Sequence, residues 1–395
     1  MENGFVRKMS GLEAFFVDLD ACGCNMTIHF CLELNRKPNV DRLRMAMKQI
    51  MKTHEGINVR FYRNAWYVSS YVHDCPVIDV EGEDLSNYKP SRLDFRQSSV
   101  DLKILHATLS DKWYICFDFF HGAVDGRSGM QFVYDFFDVL NNRQFPEPDF
   151  GFSAKSLVHD GEKSDKKHRP AFTVFPKCRP SRWRTRRGGE DKTAIISHNG
   201  KIRSTAAHYS DIIGRLFGNK SAKMIIPVDV RRHADNCGKA MYGNLFVPMF
   251  LEAKSCASWK EMHGEIIGFA KHKPYLMSVE KKLDIYSKIP TYLRQTVIRG
   301  ALPLVMGSKK FIYCALVSAL GAIDSDRLIC KDFAVKDYNV TFVSFPFTAF
   351  SVISLQYMGR TNTTVCWNSG RVPDRAARIL MRRINECMNR HTALG

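Results

Sequence analysis

Residues 113–140 read WYICFDFFHGAVDGRSGMQFVYDFFDVL, and three successive patterns divide this stretch. Residues 113–120 form a run of aromatic and branched side chains with Asp118 as its only charge, which predicts a largely buried strand. The strand pattern ends at His121, where a polar loop containing glycines begins. From Ser128 onward the apolar residues recur with helical spacing, so the stretch predicts a strand, a short loop and a helix.

The predicted helix has one apolar face, as is typical of a helix that packs on a core. That face consists of Phe132, Val133, Phe136, Phe137 and Leu140. Tyr134, Asp135 and Asp138 are expected to point away from it. Glycines in the preceding loop permit backbone conformations or close approaches that a side chain would obstruct. The pattern therefore predicts that His121 is held at the end of a rigid strand.

His121 and Asp125 are the candidate reactive groups of the loop. A neutral imidazole can take a proton from a hydroxyl or amine as that group attacks a carbonyl, provided that the ring keeps a fixed tautomer. Asp125 lies four residues further on and is positioned to lock the loop or to orient the ring. The alternative is structural, with His121 ending a strand and Asp125 capping the next helix through a free backbone N–H.

The sequence FHGAVDGRSG resembles the H-x-x-x-D-G signature of the coenzyme-A-dependent acyltransferase superfamily. This superfamily includes chloramphenicol acetyltransferase, the condensation domains of peptide synthetases, the plant BAHD acyltransferases and the alcohol acetyltransferases. Condensation domains usually carry a second histidine, which Phe120 replaces here, and a serine, which Ser128 retains. The resemblance implies that His121 is the general base and Asp125 a structural carboxylate turned away from substrate and paired with an arginine. Gly126 completes the motif.

A second segment, at residues 53–61, resembles the condensation-domain pattern R-H-E-x-L-R-T-x-F in part. The matching residues are His54, Glu55 and Phe61. Asn58 stands where the pattern has the arginine that pairs with the motif aspartate. Arg60 lies two residues further on, hence on the same face of a strand, and is the expected replacement partner of Asp125.

A third segment, Tyr-Gly-Asn at residues 242–244, resembles the G-N element that opens the strand beside the substrate channel of this superfamily. Asn244 is therefore expected to position either substrate or the loop, and its alternative role is that of a turn asparagine. The layout resembles the superfamily over nearly the whole chain. It implies an α/β fold of two chloramphenicol acetyltransferase-like subdomains, each a mixed sheet flanked by helices, which meet at a central channel.

The length of 395 residues favours two domains. We expect an N-terminal subdomain at 1–150, a basic crossover linker at 151–200 and a C-terminal subdomain at 201–395. The net charge of +18 favours anionic partners, among which are CoA phosphates, nucleic acid and anionic membranes. Arginines interleaved with a tryptophan near residue 183 offer phosphate contacts and stacking for nucleic acid, although a solvated linker is the preferred interpretation. These residues are Arg179, Arg182, Trp183, Arg184, Arg186 and Arg187.

The 12 cysteines show no repeated pair spacing that would suggest zinc, so they are interpreted as reduced thiols of a cytoplasmic protein without a metal site. The start of the chain shows no signal-peptide pattern. Residues 338–359 are uncharged and long enough to raise the question of a membrane span. Pro346 divides them into two strand-like halves, so a transmembrane segment is not predicted.

Together these features predict an O-acyltransferase that moves an acyl group from acyl-CoA to a small-molecule alcohol. It is expected to be a monomer with no permanently bound cofactor and acyl-CoA as its co-substrate. No G-x-S-x-G sequence suggests an acyl-enzyme, which favours direct transfer in a ternary complex. Thr348 and Ser351, or a backbone N–H near them, are the candidate donors to the oxyanion.

Two other functions remain open. The same base would serve amide-bond formation with an amine acceptor or with substrates held on an acyl-carrier protein. A basic, non-catalytic binding protein on an acyltransferase scaffold is the third possibility, with nucleic acid or a membrane as its partner.

Overall fold

The computed structural model describes residues 4–85, 88–158, 189–217, 221–234, 239–254, 258–307, 311–342 and 344–392. The arginine-rich sequence around Trp183 lies outside these ranges, so its interpretation stays a prediction. The helices are α1 (Gly11–Ala21), α2 (Val40–Thr53), α3 (Gly126–Leu140), α4 (Ala154–Val158), α5 (Thr205–Phe217), α6 (Trp259–Lys271), α7 (Lys273–Lys288), α8 (Thr291–Gly307) and α9 (Asp374–Thr392). The first strands are β1 (Phe5–Lys8), β2 (Thr27–Leu34), β3 (Val59–Tyr62), β4 (Ala65–Val68), β5 (Val77–Val80), β6 (Val100–Ala107), β7 (Lys112–Phe120) and β8 (Pro148–Asp149). The later strands are β9 (Asp191–Asn199), β10 (Ser221–Asp229), β11 (Ala240–Met241), β12 (Phe246–Lys254), β13 (Tyr313–Ala322), β14 (Val335–Phe342), β15 (Thr348–Tyr357) and β16 (Arg360–Asn368).

Two mixed sheets form the framework of the protein. The first has the strand order β14-β2-β7-β6-β5, in which β5 and β6 are parallel and the other neighbours are antiparallel. The second has the order β12-β10-β13-β15-β16-β9, with β13 parallel to both β10 and β15. Helix α3 packs on β7 through Phe132 and Phe119, and α5 packs on β10 and β13. The prediction of mixed sheets flanked by helices is confirmed.

Two strands pair across the boundaries of the predicted domains. Strand β14 pairs with β2, so the region predicted as the C-terminal subdomain contributes an outer strand to the first sheet. Strand β9 falls inside the predicted linker at 151–200 and pairs with β16 at the edge of the second sheet. Its side chains are mostly exposed or partly buried, because an edge strand needs little apolar sequence. Both pairings are long-range, which a local hydrophobic pattern does not specify.

The uncharged run at residues 338–359 forms strands β14 and β15, separated by a turn at Pro346. The predicted division into two strand-like halves is confirmed, but the halves join different sheets. Within the described residues, no helix combines the length and the apolar character needed to cross a bilayer.

Helix α1 was not predicted from the sequence. Ser10 caps the helix by accepting from the backbone N–H of Glu13, and the carboxylate of Glu13 accepts from the N–H of Ser10. This reciprocal pair is a capping box, a signal that the sequence S-G-L-E already contains. The helix runs beside α7 and α8 and brings Phe16 into the interior.

The prediction that Asp135 and Asp138 point away from the core is wrong, because both residues are buried. Asp135 accepts from His54 Nε2 at 3.1 Å and from the Tyr242 hydroxyl at 2.5 Å. Arg327 reaches the carboxylate of Asp138. Buried carboxylates need such partners, and here the partners come from the residue after helix α2, the segment before β12 and the segment after β13.

Candidate active site

His121 directly follows β7, where its backbone N–H donates to the Met26 carbonyl at 2.8 Å. Three phenylalanine rings surround the imidazole. Phe16 stacks on it with ring centroids 4.5 Å apart, Phe342 meets it edge-on at 5.3 Å, and Phe246 lies at 5.7 Å. The ring is therefore held in an apolar environment by helix α1 and by strands of both sheets.

A cavity of about 140 Å³ opens beside the imidazole between the two sheets. Its walls from the first sheet and the loop after β7 are Ile28, His121, Asp125, Gly126, Arg127, Val340 and Phe342. Its walls from the second sheet and neighbouring turns include Pro227, Asp229, Arg231, Phe246, Leu316, Ser318, Leu320 and Ile353. A second cavity of about 400 Å³ shares Arg127, Arg231 and Leu320 with the first. The two cavities therefore adjoin. We call the 140 Å³ cavity beside His121 the inner cavity and the 400 Å³ cavity the outer cavity.

The hydrogen bonding of His121 assigns its tautomer. Nδ1 lies 3.2 Å from the Val124 carbonyl oxygen, which can only accept, so Nδ1 carries the proton. Nε2 is then the unprotonated nitrogen that remains for a substrate. Burial lowers the pKa of His121 to about 4, and this effect outweighs the bond to Val124 and the charge of Asp125, which raise it. At neutral pH the ring is therefore uncharged and able to accept a proton.

Asp125 caps α3 and does not touch the imidazole through its carboxylate. Its Oδ1 accepts from the backbone N–H of Ser128 at 2.7 Å, and its Oδ2 accepts from the N–H of Leu245 at 2.8 Å. Burial alone would raise the pKa of Asp125, but the Arg231 guanidinium and these N–H groups outweigh it and hold the pKa below its usual value. The carboxylate is thus a fixed anion that joins the loop to the segment before β12.

Arg231, rather than Arg60, is the arginine that pairs with Asp125. It binds Asp125 through two nitrogens, at 3.0 and 3.1 Å, and also donates to the Ser128 hydroxyl at 2.6 Å. Arg60 is exposed on β3, where its guanidinium lies over the ring of Tyr62. The prediction of Arg60 is wrong because β3 belongs to a separate three-stranded sheet with β1 and β4, which turns this side chain to solvent.

Gly126 and Asn244 both hold the His121 loop in place. A Cβ atom on Gly126 would lie 2.6 Å from Leu320 Cδ2, so a side chain at this position would have to displace the end of Leu320 for α3 to begin against β13. The side-chain amide of Asn244 donates to the main-chain carbonyl of His121 at 2.6 Å. Of the two roles anticipated for Asn244, positioning the loop is the one that this bond supports.

Thr348 and Ser351 do not line either cavity, which corrects their assignment as oxyanion donors. The Thr348 hydroxyl donates to the Phe345 carbonyl at 3.1 Å, and the Ser351 hydroxyl accepts from the Phe345 N–H at 3.2 Å. Both side chains are buried in the first residues of β15, next to the turn that follows β14. Their polar groups stabilise that turn and are not directed at the cavity beside His121.

Four residues of the site were missed by the sequence analysis: Phe16, Arg231, Phe246 and Ser318. Phe16 had a local signal, because a capping box precedes it. Ser318 lies on β13 and carries the one hydroxyl among the residues that line the inner cavity. Nothing in the local sequence links Arg231, Phe246 or Ser318 to His121. Phe120, which replaces the second histidine of condensation domains, is buried in the core and stacks on Phe95 at 4.9 Å.

No protein-family model matches the sequence, and no curated protein is significantly similar to it. The starter condensation domain of rhizomide synthetase RzmA, solved as a mutant with C8-CoA and Leu-SNAC, gives a TM-score of 0.62 at 10% identity. The match covers 97% of this chain and 94% of that chain. The TM-score of 0.62 is accompanied by an identity of only 10%, so this likeness concerns the fold.

Two further solved structures show the same likeness. The condensation domain of the Monacolin K polyketide synthase MokA gives a TM-score of 0.59 at 9% identity, covering 98% of this chain and 97% of that chain. Polyketide synthase associated protein 5 from Mycobacterium tuberculosis gives 0.59 at 13% identity, covering 97% of this chain and 99% of that chain. The chain therefore has the fold of condensation domains and related acyltransferases.

Proposed function

We propose that this protein transfers an acyl group from an acyl-CoA thioester to the hydroxyl group of a small-molecule acceptor, with His121 as the general base. One observation carries the proposal. The imidazole lines the inner cavity, and its Nδ1 donates a hydrogen bond to the Val124 carbonyl of its own loop. Nε2 is therefore unprotonated and available to a substrate. A strictly structural histidine would need neither the cavity nor a free acceptor nitrogen.

The transfer proceeds in one addition and one elimination. Nε2 of His121 takes the proton of the acceptor hydroxyl while the hydroxyl oxygen attacks the thioester carbonyl carbon. The tetrahedral intermediate then collapses, its C–S bond breaks, and the imidazolium returns the proton to the departing thiolate. The products are an ester and free CoA, and no covalent acyl-enzyme forms.

Ser318 is the candidate donor to the oxyanion of the tetrahedral intermediate. Its hydroxyl lies on the wall of the same cavity as His121, and its side chain is only partly buried. Removing one such donor typically lowers kcat by roughly 100- to 1000-fold. In this proposal Asp125 stabilises the loop and takes no part in proton transfer.

Positive charge around the outer cavity supports a donor that carries phosphate. Arg127 and Lys239 line that cavity, and Arg127 is largely exposed, with Asp229 at 3.5 Å. The similar RzmA domain was solved in complex with C8-CoA. Both observations support acyl-CoA as the co-substrate here.

The condensation-domain fold favours a second candidate, amide-bond formation. In that case an amine, free or on a carrier protein, attacks the thioester in place of the hydroxyl. His121 takes the same proton from the attacking group, so the geometry beside the imidazole suits both reactions. The acceptor decides between them.

The proposal is tested by measuring thiol release from a panel of acyl-CoAs, with and without mixed alcohols and mixed amines. We expect release that depends on the alcohols and falls by orders of magnitude in His121→Ala. His106→Ala is the matched control, because His106 binds Asp79 and Asp111 away from both cavities. Release that depends only on amines would favour condensation. Equal rates in wild type and His121→Ala would overturn the assignment of the base.

A further inference from the structure

The outward face of α8 is apolar although it is exposed. Leu293, Val297 and Leu304 follow one another at intervals of four and seven residues, which places them on one side of the helix. Their exposed fractions are 44%, 70% and 76%. Side chains of this kind on the surface of a helix mark a contact site when they cluster.

The exposed apolar residues continue back across the junction with α7. Ile285 lies in the last turn of α7, Ile289 directly follows α7, and Tyr292 lies in the first turn of α8. Their exposed fractions are 65%, 40% and 68%. We refer to the whole set as the docking face. It consists of Ile285, Ile289, Tyr292, Leu293, Val297 and Leu304.

Positive charges outnumber negative charges along residues 280–307, which contain five lysines and arginines and two carboxylates. The two carboxylates are Glu280 and Asp284, and the sequence at 285–307 contains no aspartate or glutamate. Lys281 and Lys282 are exposed and lie within one helical turn of Ile285. Asp284 is bound by Lys155 at 2.9 Å and by Lys288 at 3.1 Å. An apolar face flanked by lysine and arginine is the pattern of a helix that lies on an anionic bilayer.

The inner faces of α7 and α8 are already occupied by the core. Arg294 is fully buried, donates to Asp18 Oδ2 of α1 at 2.6 Å and donates to the Ile289 carbonyl at 2.8 Å. A Cβ atom on Gly11 would lie 1.8 Å from the Leu283 carbonyl oxygen, so α1 and α7 touch at their backbones. The docking face is therefore the outer surface of a firmly attached helix pair.

We propose that the docking face binds the surface of a lipid bilayer that contains anionic lipid. The apolar side chains enter the boundary of the acyl region, and Lys281 and Lys282 contact the headgroups. The charge complementarity favours a membrane over a second copy of this chain, because each copy would bring the same cations to the interface.

Docking of this kind would bring lipid close to the reaction cavity. Phe15 of α1 contacts Tyr286 of α7 edge-on at 5.9 Å, and the adjacent Phe16 stacks on His121. A single helix thus separates α7 from the imidazole. The binding itself does not depend on the chemistry at His121.

The full chain tests this proposal by cosedimentation with vesicles of phosphatidylcholine alone or of equal parts phosphatidylcholine and phosphatidylglycerol. We expect binding to the anionic vesicles that weakens as salt is added. The double variant Val297→Glu/Leu304→Glu should bind the anionic vesicles at least about tenfold more weakly than wild type. The control Val72→Glu/Leu109→Glu changes the charge equally at side chains that are 73% and 72% exposed, and should bind like wild type.

All four substituted positions are exposed, so thermal melting should confirm that both double variants fold. Absence of binding to anionic vesicles, or equal loss in the two double variants, would overturn the proposal. So would a dimer in sedimentation velocity that Val297→Glu/Leu304→Glu dissociates, because the docking face would then bind a second copy.

Discussion

Arg231 binds both carboxylate oxygens of Asp125, with Nη2 at 3.0 Å from Oδ1 and Nη1 at 3.1 Å from Oδ2. The pair joins the loop after β7 to the turn after β10, which are 106 residues apart in the sequence. Both side chains are largely buried, and Arg231 also binds Asp229 Oδ1 at 3.0 Å. The loop that carries His121 is therefore fixed from the opposite sheet.

Removing Arg231 should leave the buried carboxylate of Asp125 without its cation, whereas removing Asp125 leaves Arg231 bound to Asp229 at 3.0 Å. We expect Arg231→Ala to lower the free energy of unfolding by about 3–5 kcal/mol and Asp125→Ala to lower it by less, measured by denaturant titration. The double variant should cost less than the sum of the single variants. Arg60→Ala is the control, since Arg60 is exposed, and a loss from it as large as that from Arg231→Ala would contradict the pairing.

Asn244→Ala should reduce turnover more than stability. The substitution removes the donor to the His121 carbonyl, so the imidazole is held less firmly in its reactive position. We expect kcat for thiol release to fall by about 10- to 100-fold with little change in KM. Asn58→Ala removes a buried bond to Ser98 away from the cavities and should lower the melting temperature without lowering kcat. A loss confined to KM would argue against a positioning role.

Phe16→Ala should raise the pKa of His121 toward its ordinary value, because the stacked ring keeps water from the imidazole. The same change should lower the free energy of unfolding by about 3–5 kcal/mol. Phe16→Leu retains an apolar side chain and is the matched control. NMR titration of the imidazole measures the effect. An unchanged pKa in Phe16→Ala would show that burial by this ring is not the cause of the low value.

The low pKa of His121 also predicts a dependence of stability on pH. The unfolded chain takes up a proton near pH 6.5, whereas the folded protein does so only near pH 4. The stability contributed by the neutral ring is therefore complete above pH 6.5 and is lost as the pH falls toward 4, by about 3 kcal/mol in total. His121→Gln should lack this component. Parallel stability curves for the two proteins across this window would contradict the low pKa.

The elements with strong local signals were predictable from the sequence. Helices α2 and α6 begin directly after Asn39 and Ser258, which cap them by accepting backbone N–H groups, so local sequence signals mark both starts. Strand β7 and helix α3 follow their periodicity, and Asp125 marks the start of α3. In these segments the local pattern and the tertiary structure agree.

The partners of the site were not predictable in the same way. Arg231 rather than Arg60 binds Asp125 because of the path that the chain takes between the sheets. A spacing of two residues within a strand does not indicate that path. Asp135 is buried although a charged residue is usually expected at the surface. His54 and Tyr242 bind its carboxylate there, and neither partner is evident from the local sequence. Helix α8 lacked a clear amphipathic pattern because apolar residues lie on both its inner and its outer face.

The most direct test of the proposed base is the pH dependence of kcat/KM for thiol release from an acyl-CoA with an alcohol acceptor. We expect a plateau from about pH 8 down to about pH 5 and a fall with its midpoint near the His121 pKa of about 4, with activity absent throughout in His121→Ala. A midpoint near the ordinary histidine value of about 6.5, or a His121→Ala protein with the wild-type rate, would contradict the account.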